Sequence, residues 1–189
     1  MKKQRILIGL HGLSHTPTRA TAETLAKSLD LAAVRISKVV QMACAGALNM
    51  NFYDFEAHSP DHRFPEIAMT KCEFMCFMKK MLNSLNPNHA LNMIFREFRN
   101  PNSMHKHLFS GEIFMEITTE SEAEWIRQQG GTIIHLHQES TEDRHPLSCE
   151  TALKPKEDVD FVITNNSTQD ELLSKLRDMG LELRHRPAA

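Results

Sequence analysis

No stretch of this 189-residue chain approaches the roughly 20 apolar residues that a membrane-spanning helix needs, so the sequence predicts no membrane association. Neither sign of charge dominates. Lys and Arg number 22 and Asp and Glu 24, which leaves no basic surplus for nucleic acid and no acidic excess for disorder. One Trp and one Tyr are too few for an aromatic binding platform, while 11 Met suggest an adaptable core. The four cysteines, Cys44, Cys72, Cys76 and Cys149, have the spacing of neither a disulfide framework nor a C-x-x-C metal site. Reduced thiols and an intracellular protein are expected. The apolar run after Met1–Arg5 is too short for a signal peptide and ends at His11 and Gly12. No internal repeat or low-complexity segment is present.

What is there alternates short apolar runs with amphipathic ones. Residues 5–10 read as a buried parallel strand, Gly9 to Pro17 as a loop, and Thr18 to Leu29 as a helix with Ala22, Leu25, Ala26 and Leu29 on one face. A second strand is expected over 33–36, then a helix capped by Ser37 and running to about Leu48. Residues 49–66 lack a sustained period and read as a surface excursion near a site or in a lid. Helices follow from Thr70 to Leu85 and from Pro87 to about Phe98. A strand over 112–117 precedes a helix over 119–129, with Thr119 and Glu122 at the spacing of a capping box and Gly130-Gly131 at the end. Strands over 132–137 and 159–164 and a helix over 168–179 complete the pattern. The pattern predicts a three-layer α/β/α fold, a mostly parallel sheet with helices on both faces and a small lid.

Other constellations carry less. His135 and His137 share a strand face and, with His145 and Cys149, invite a zinc site, but the spacing across the loop is irregular; no metal site is assigned. Ser14-His15 and Ser103-x-His105 invite a hydrolase, but no G-x-S-x-G elbow exists. The Met and Phe stripe from Phe74 to Met81 reads as core, or as a partner surface if exposed.

Three blocks together resemble the deoxynucleoside monophosphate kinases of tailed bacteriophages, distant relatives of dephospho-coenzyme A kinase. They are Gly9-Leu10-His11-Gly12; Glu122-Ala123-Glu124-Trp125-Ile126-Arg127 with Gly130-Gly131-Thr132-Ile133-Ile134-His135-Leu136; and Asp160-Phe161-Val162-Ile163-Thr164-Asn165 with Ser167-Thr168 and Glu171-Leu172. The resemblance implies a P-loop kinase-like domain over 1–183. Within it, 49–110 would be a helical or loop insertion on the substrate side and 138–158 a lid-like loop; 184–189 would be a frayed tail. It implies a phosphate loop at Gly9, Gly12 and Thr18, and a turn at Asn165 and Thr168 beside the adenine of ATP. It places Glu116 as a magnesium- or substrate-facing carboxylate. Phage origin and host cytoplasm, or incorporation into a phage particle, follow from the same likeness.

The loop departs from the pattern where chemistry needs it. A working G-x-x-x-x-G-K-[ST] loop supplies a nest of N–H groups, a lysine for the β and γ oxygens, and a hydroxyl for Mg²⁺. Pro17 stands at the second glycine, Thr18 at the lysine, Arg19 at the family's Asp and Ala20 at its Thr. Proline removes a donor and fixes φ. Glu116-Ile117-Thr118-Thr119 keeps a carboxylate of the family's Asp-Val-Arg-Phe but loses the arginine. Gln138 stands near an expected lid arginine, and Ser121 replaces an Asn. Arg19 at the helix start is the alternative catalytic cation. Removing one preorganised stabiliser of phosphoryl transfer costs about 3 kcal/mol, and several are missing. The sequence therefore predicts a kinase-like protein that acts by binding a protein partner or a phage particle. An active kinase using ATP and Mg²⁺, and a nucleotide binder without turnover, stay open as alternatives.

Overall fold

The computed structural model describes residues 5–12, 18–100, 108–137 and 153–164, with five further positions between 171 and 179. Elements run β1 (Ile6–Gly12), α1 (Thr18–Leu29), β2 (Leu31–Arg35), α2 (Ser37–Ala47), α3 (Phe52–Ala57), β3 (Arg63–Phe64), β4 (Met69–Thr70), α4 (Lys71–Leu85), α5 (His89–Arg99), β5 (Gly111–Met115), α6 (Glu120–Gln128), β6 (Thr132–His137) and β7 (Phe161–Thr164). Five strands form one sheet in the order β2-β5-β1-β6-β7, and every pairing in it is parallel.

Alternation along β1 explains the two layers of helices. Ile8 and Leu10 point to one face and meet Ala22, Leu25 and Leu29 of α1, with Ile113, Ile134 and Ile163 beside them. Leu7 points to the other face, with Phe114 and Ile133, under α5 (Leu91, Ile94, Phe98) and α6 (Ala123, Trp125, Ile126). A strand buried on both faces reads as a continuous apolar run, which is what residues 6–10 are. The α/β architecture with a mostly parallel sheet is as the sequence predicts.

Several boundaries move, each for a physical reason. The first strand runs past its expected end at Leu10, taking in His11 and Gly12 from the expected loop, because its register continues opposite β6 as far as Gly12 and Leu136. Gly9 is where β6 and α6 come closest to the strand: a Cβ there would meet Ile133 Cδ1 at 2.5 Å and Ile126 Cδ1 at 2.7 Å. The second strand starts two residues earlier than expected, since Leu31 and Ala32 are buried. Ser37 is not the cap of α2. Ile36 occupies that position without a side-chain hydrogen bond.

Residues 49–70 contain more order than their composition suggests. Asn51 accepts the N–H of Tyr53 and caps the short α3. The β3–β4 hairpin follows, and Thr70 and Glu73 form a capping box that starts α4. These elements share a second core with α2, built on Val40, Cys44, Ala45, Phe55, Phe64 and Phe74. Burial pushes the Cys44 thiol up to about 12, so it stays protonated and inert. Lys71 fixes the unit from inside. Its ammonium donates to the carbonyls of Glu56 (2.9 Å) and His58 (2.7 Å) at the end of α3, 5.3 Å from the Phe55 ring centroid. Burial lowers its pKa.

Candidate functional site

The chain leaves β1 toward α1 on one face of the sheet and leaves β5 toward α6 on the other. In open parallel sheets, ligands bind outside the carboxyl ends of strands where such connections diverge. Here that place is bounded by Gly12 at the end of β1 and by Glu116–Thr118 beyond β5. The backbone holds the two ends together: Ile117 N–H donates to the Leu10 carbonyl at 3.2 Å. His11 Nδ1 lies 2.7 Å from the Ile117 carbonyl, and the Leu153 N–H donates to His11 Nε2 at 3.3 Å. A ring nitrogen that accepts carries no proton. The Leu153 N–H therefore assigns His11 as the neutral Nδ1–H tautomer, donating to Ile117.

The residues marked in the sequence fall as follows. Gly12 is the last residue of β1 and Thr18 the first of α1; Leu13 to Pro17 between them lie outside the described residues. Gly9 sits three residues inside the strand, packed under Ile133 and Ile126. Arg19 Nε donates to Glu23, one turn further along α1, at 3.0 Å, and its side chain is 77 % exposed. That contact turns the guanidinium down the helix, away from its N-terminus. Glu116 has φ 68°, a left-handed conformation that ends β5. Its carboxylate accepts the N–H of Ser37 at 2.9 Å, the place where α2 has no cap of its own. Asn165, Thr168, Gln138, His145, Cys149, Ser14, His15, Ser103 and His105 lie outside the described residues.

Two clusters were not read from the sequence. The first is buried behind His11. His135, on the neighbouring position of β6, meets it edge-to-face at 5.4 Å between centroids. His135 Nε2 lies 3.2 Å from Asp160 Oδ2. Arg127 grips the same carboxylate with Nε at 3.2 Å and Nη2 at 2.6 Å. Lys156 N–H adds a donor at 2.8 Å. Burial pushes the His135 pKa down, with Asp160 opposing it only in part. Burial also works against the Asp160 carboxylate, but its hydrogen bonds from Arg127, Lys156 and His135 together outweigh burial and hold it low. The ring is thus neutral, with its proton on Nε2 toward the carboxylate. His135 Nδ1 is left buried with no hydrogen-bond partner among the described residues. His135 thus has Asp160 as its partner; no group of three metal-ligating side chains occurs among the described residues, and His145 and Cys149 lie outside them.

The second cluster stands at the mouth of the crevice. Glu122 Oε2 accepts the N–H groups of Thr118 (2.8 Å) and Thr119 (3.0 Å) and the Thr118 hydroxyl (3.3 Å). Thr119 accepts the Glu122 N–H in return, so the expected capping box is present. Lys79, from α4, donates to the Thr118 hydroxyl at 2.5 Å. Its Nζ lies 3.7 Å from Glu122 Oε1, and its side chain is 23 % exposed. The signal available in the sequence was the pair Lys79-Lys80 in the middle of α4, and periodicity does not show which partner either lysine meets.

A triphosphate with Mg²⁺ requires a fixed cation and an open carboxylate or hydroxyl beside the amide cradle. Of the residues marked in the sequence, those that are described do not meet that requirement. Thr18 carries no charge, Arg19 is turned to Glu23, and Glu116 is taken up by the start of α2.

No protein-family model matches the chain, and no curated protein matches it. Solved structures that match the chain include three kinases. Dephospho-CoA kinase from Campylobacter jejuni superposes with a TM-score of 0.51 at 13 % identity, over 94 % of this chain and 96 % of that one. A gluconokinase from Sinorhizobium meliloti gives 0.46 at 12 %, over 99 % and 95 % of the two chains. A sugar kinase from a Janibacter species gives 0.47 at 10 %, over 95 % and 96 %. The likeness to the first is one of fold: a P-loop kinase-like α/β domain.

Proposed function

We propose that this chain is a kinase-derived protein that has given up efficient phosphoryl transfer and works by binding. The observation that carries this reading is the placement of Arg19, the cation nearest in sequence to the phosphate loop. It is paired with Glu23 and solvated, where a transferring enzyme needs a charge fixed on the phosphates. Glu116 supports it, since its carboxylate serves α2. A phage origin and a place in a phage particle remain part of the proposal on the strength of the resemblance to phage deoxynucleoside monophosphate kinases.

The test is diphosphate formation from Mg·ATP and each of the four deoxynucleoside monophosphates. The expected rate is at background. A second reading, an active deoxynucleoside monophosphate kinase, draws on the intact strand, glycine and helix order at Gly12 and Thr18. Turnover that disappears in Arg19→Ala would establish that reading instead.

A further inference from the structure

The insertion helix α4 brings to the crevice a cation that the phosphate loop lacks. Thr118 follows Ile117, which is hydrogen-bonded to Leu10 of β1, so the Thr118 hydroxyl stands just outside the ends of β1 and β5. That hydroxyl has one proton, and Glu122 Oε2 receives it. Its lone pairs are left for Lys79, which donates to it. The ammonium has three donors. One is used on Thr118, while Glu122 Oε1 at 3.7 Å balances charge without a hydrogen bond. The other two meet no hydrogen-bond acceptor among the described residues, on a side chain that is held in place and open in part to solvent.

Four other cations among the described residues have partners of their own. Arg19 pairs with Glu23 and Arg35 with Glu56. Lys71 is spent on two carbonyls. Arg127 is closed by Asp160 and Glu120. Glu122 sits on the buried side of Lys79, at 3 % exposure, and faces it from that side alone.

We infer that Lys79, oriented by Thr118, forms an anion site for a phosphate monoester at the β1–β5 end of the crevice. A phosphate dianion offers several acceptor oxygens to a point-like ammonium with spare donors, which suits it better than a carboxylate. The inference rests on the binding reading above and gives that reading a ligand class. No transfer step is involved: the site holds the phosphate and leaves it intact.

Calorimetry without ATP or magnesium tests it, titrating each of the four deoxynucleoside monophosphates and inorganic phosphate into the full chain. Wild type should bind at least one of these probes. Lys79→Ala should weaken that binding about tenfold or more, the scale of a hydrogen bond to a charged group. Lys79→Arg should keep it within about threefold, and Lys80→Ala, one exposed residue along, should leave it unchanged. Thr118→Val retains the charge but frees it, and should weaken binding while leaving Lys79→Ala the larger loss. Melting curves confirm that each variant folds; if Lys79→Ala does not, Thr118→Val against Lys80→Ala decides. A nucleotide bound more tightly than inorganic phosphate identifies the source as a nucleotide; equal binding identifies free phosphate. Unchanged affinity in Lys79→Ala, or no heat from any probe with wild type, overturns the inference. Turnover with Mg·ATP would defeat the binding reading instead, and calorimetry without ATP does not register it.

Discussion

At the scale of single residues, two positions show how the same side chain can be read for chemistry or for packing. Gly9 belongs to a glycine-bearing motif, yet its missing Cβ makes room for Ile133 and Ile126. Gly9→Ala is expected to destabilise the fold by about 1–3 kcal/mol through overpacking, with denaturant midpoints as the readout. A stable Gly9→Ala protein would return Gly9 to the ligand. His135 is the second. Its pKa is lowered in the fold by burial, so the unfolded chain takes up its proton first as pH falls. Stability from this group is whole above the unfolded value of about 6.5 and is lost as pH drops from there toward the folded value, by at most about 1.4 kcal/mol per pH unit. Asp160, held low by its partners, adds a further loss below about pH 4. Melting temperature against pH in wild type and His135→Gln checks this. The variant should lie lower at neutral pH and lose less between pH 6.5 and 5; parallel curves would exclude His135 as the source.

At the scale of elements, helix starts decide much of the site. α6 carries its own capping box, and Thr119 and Glu122 announce it in the sequence. α2 has none, and Glu116, 79 residues away in sequence, supplies the acceptor. Local sequence cannot show such a cap, which is why Ser37 reads as the cap and Glu116 as a free carboxylate. Glu116→Ala should cost about 1 kcal/mol of stability, with Glu116→Gln costing less because an acceptor is kept. Equal stability in all three chains would free Glu116 for substrate or metal. Arg127 joins α6 to the segment before β7 through Asp160, with both side chains buried. Removing one partner of a buried pair leaves the other uncompensated, so Arg127→Ala is expected to lose about 3–5 kcal/mol. Chemical denaturation reads this directly, and a loss under about 1 kcal/mol would show that the pair is screened. The strands and helices of the sheet were legible because a parallel strand writes itself as an apolar run and a helix as a periodic one. α3 and the β3–β4 hairpin were not, because six residues and two short strands give no period to count.

At the scale of the whole molecule, the chain has a P-loop kinase-like fold, and the residues that pack it are distinct from those at the mouth of its crevice. The frame is stabilised by the packing of Ile8, Leu10, Ile113, Ile134 and their neighbours, none of which lies between Gly12 and Thr18. Its packing therefore does not depend on which residues fill that connection. The second core under α2, α3 and α4 gives the segment from α3 to α4 a packed base, from which α4 projects Lys79 toward Thr118. Phe77, Met81 and Leu85, at successive turns of α4, stay exposed, while Phe74, Met75 and Met78 pack in or against the core, so the stripe from Phe74 to Met81 is core on one side only. The departures at Pro17 and Thr18 were open to view in the sequence. The partners taken by Arg19, Glu116 and Lys79 were not, since each depends on which side chain the fold brings alongside.

Calorimetric titration of Mg·ATP into the wild-type chain probes the donor side of the crevice most directly. A chain without a fixed cation at that turn should give no saturable heat at millimolar nucleotide. Saturable binding in the micromolar range that is lost in Arg19→Ala would contradict the account and restore a donor site.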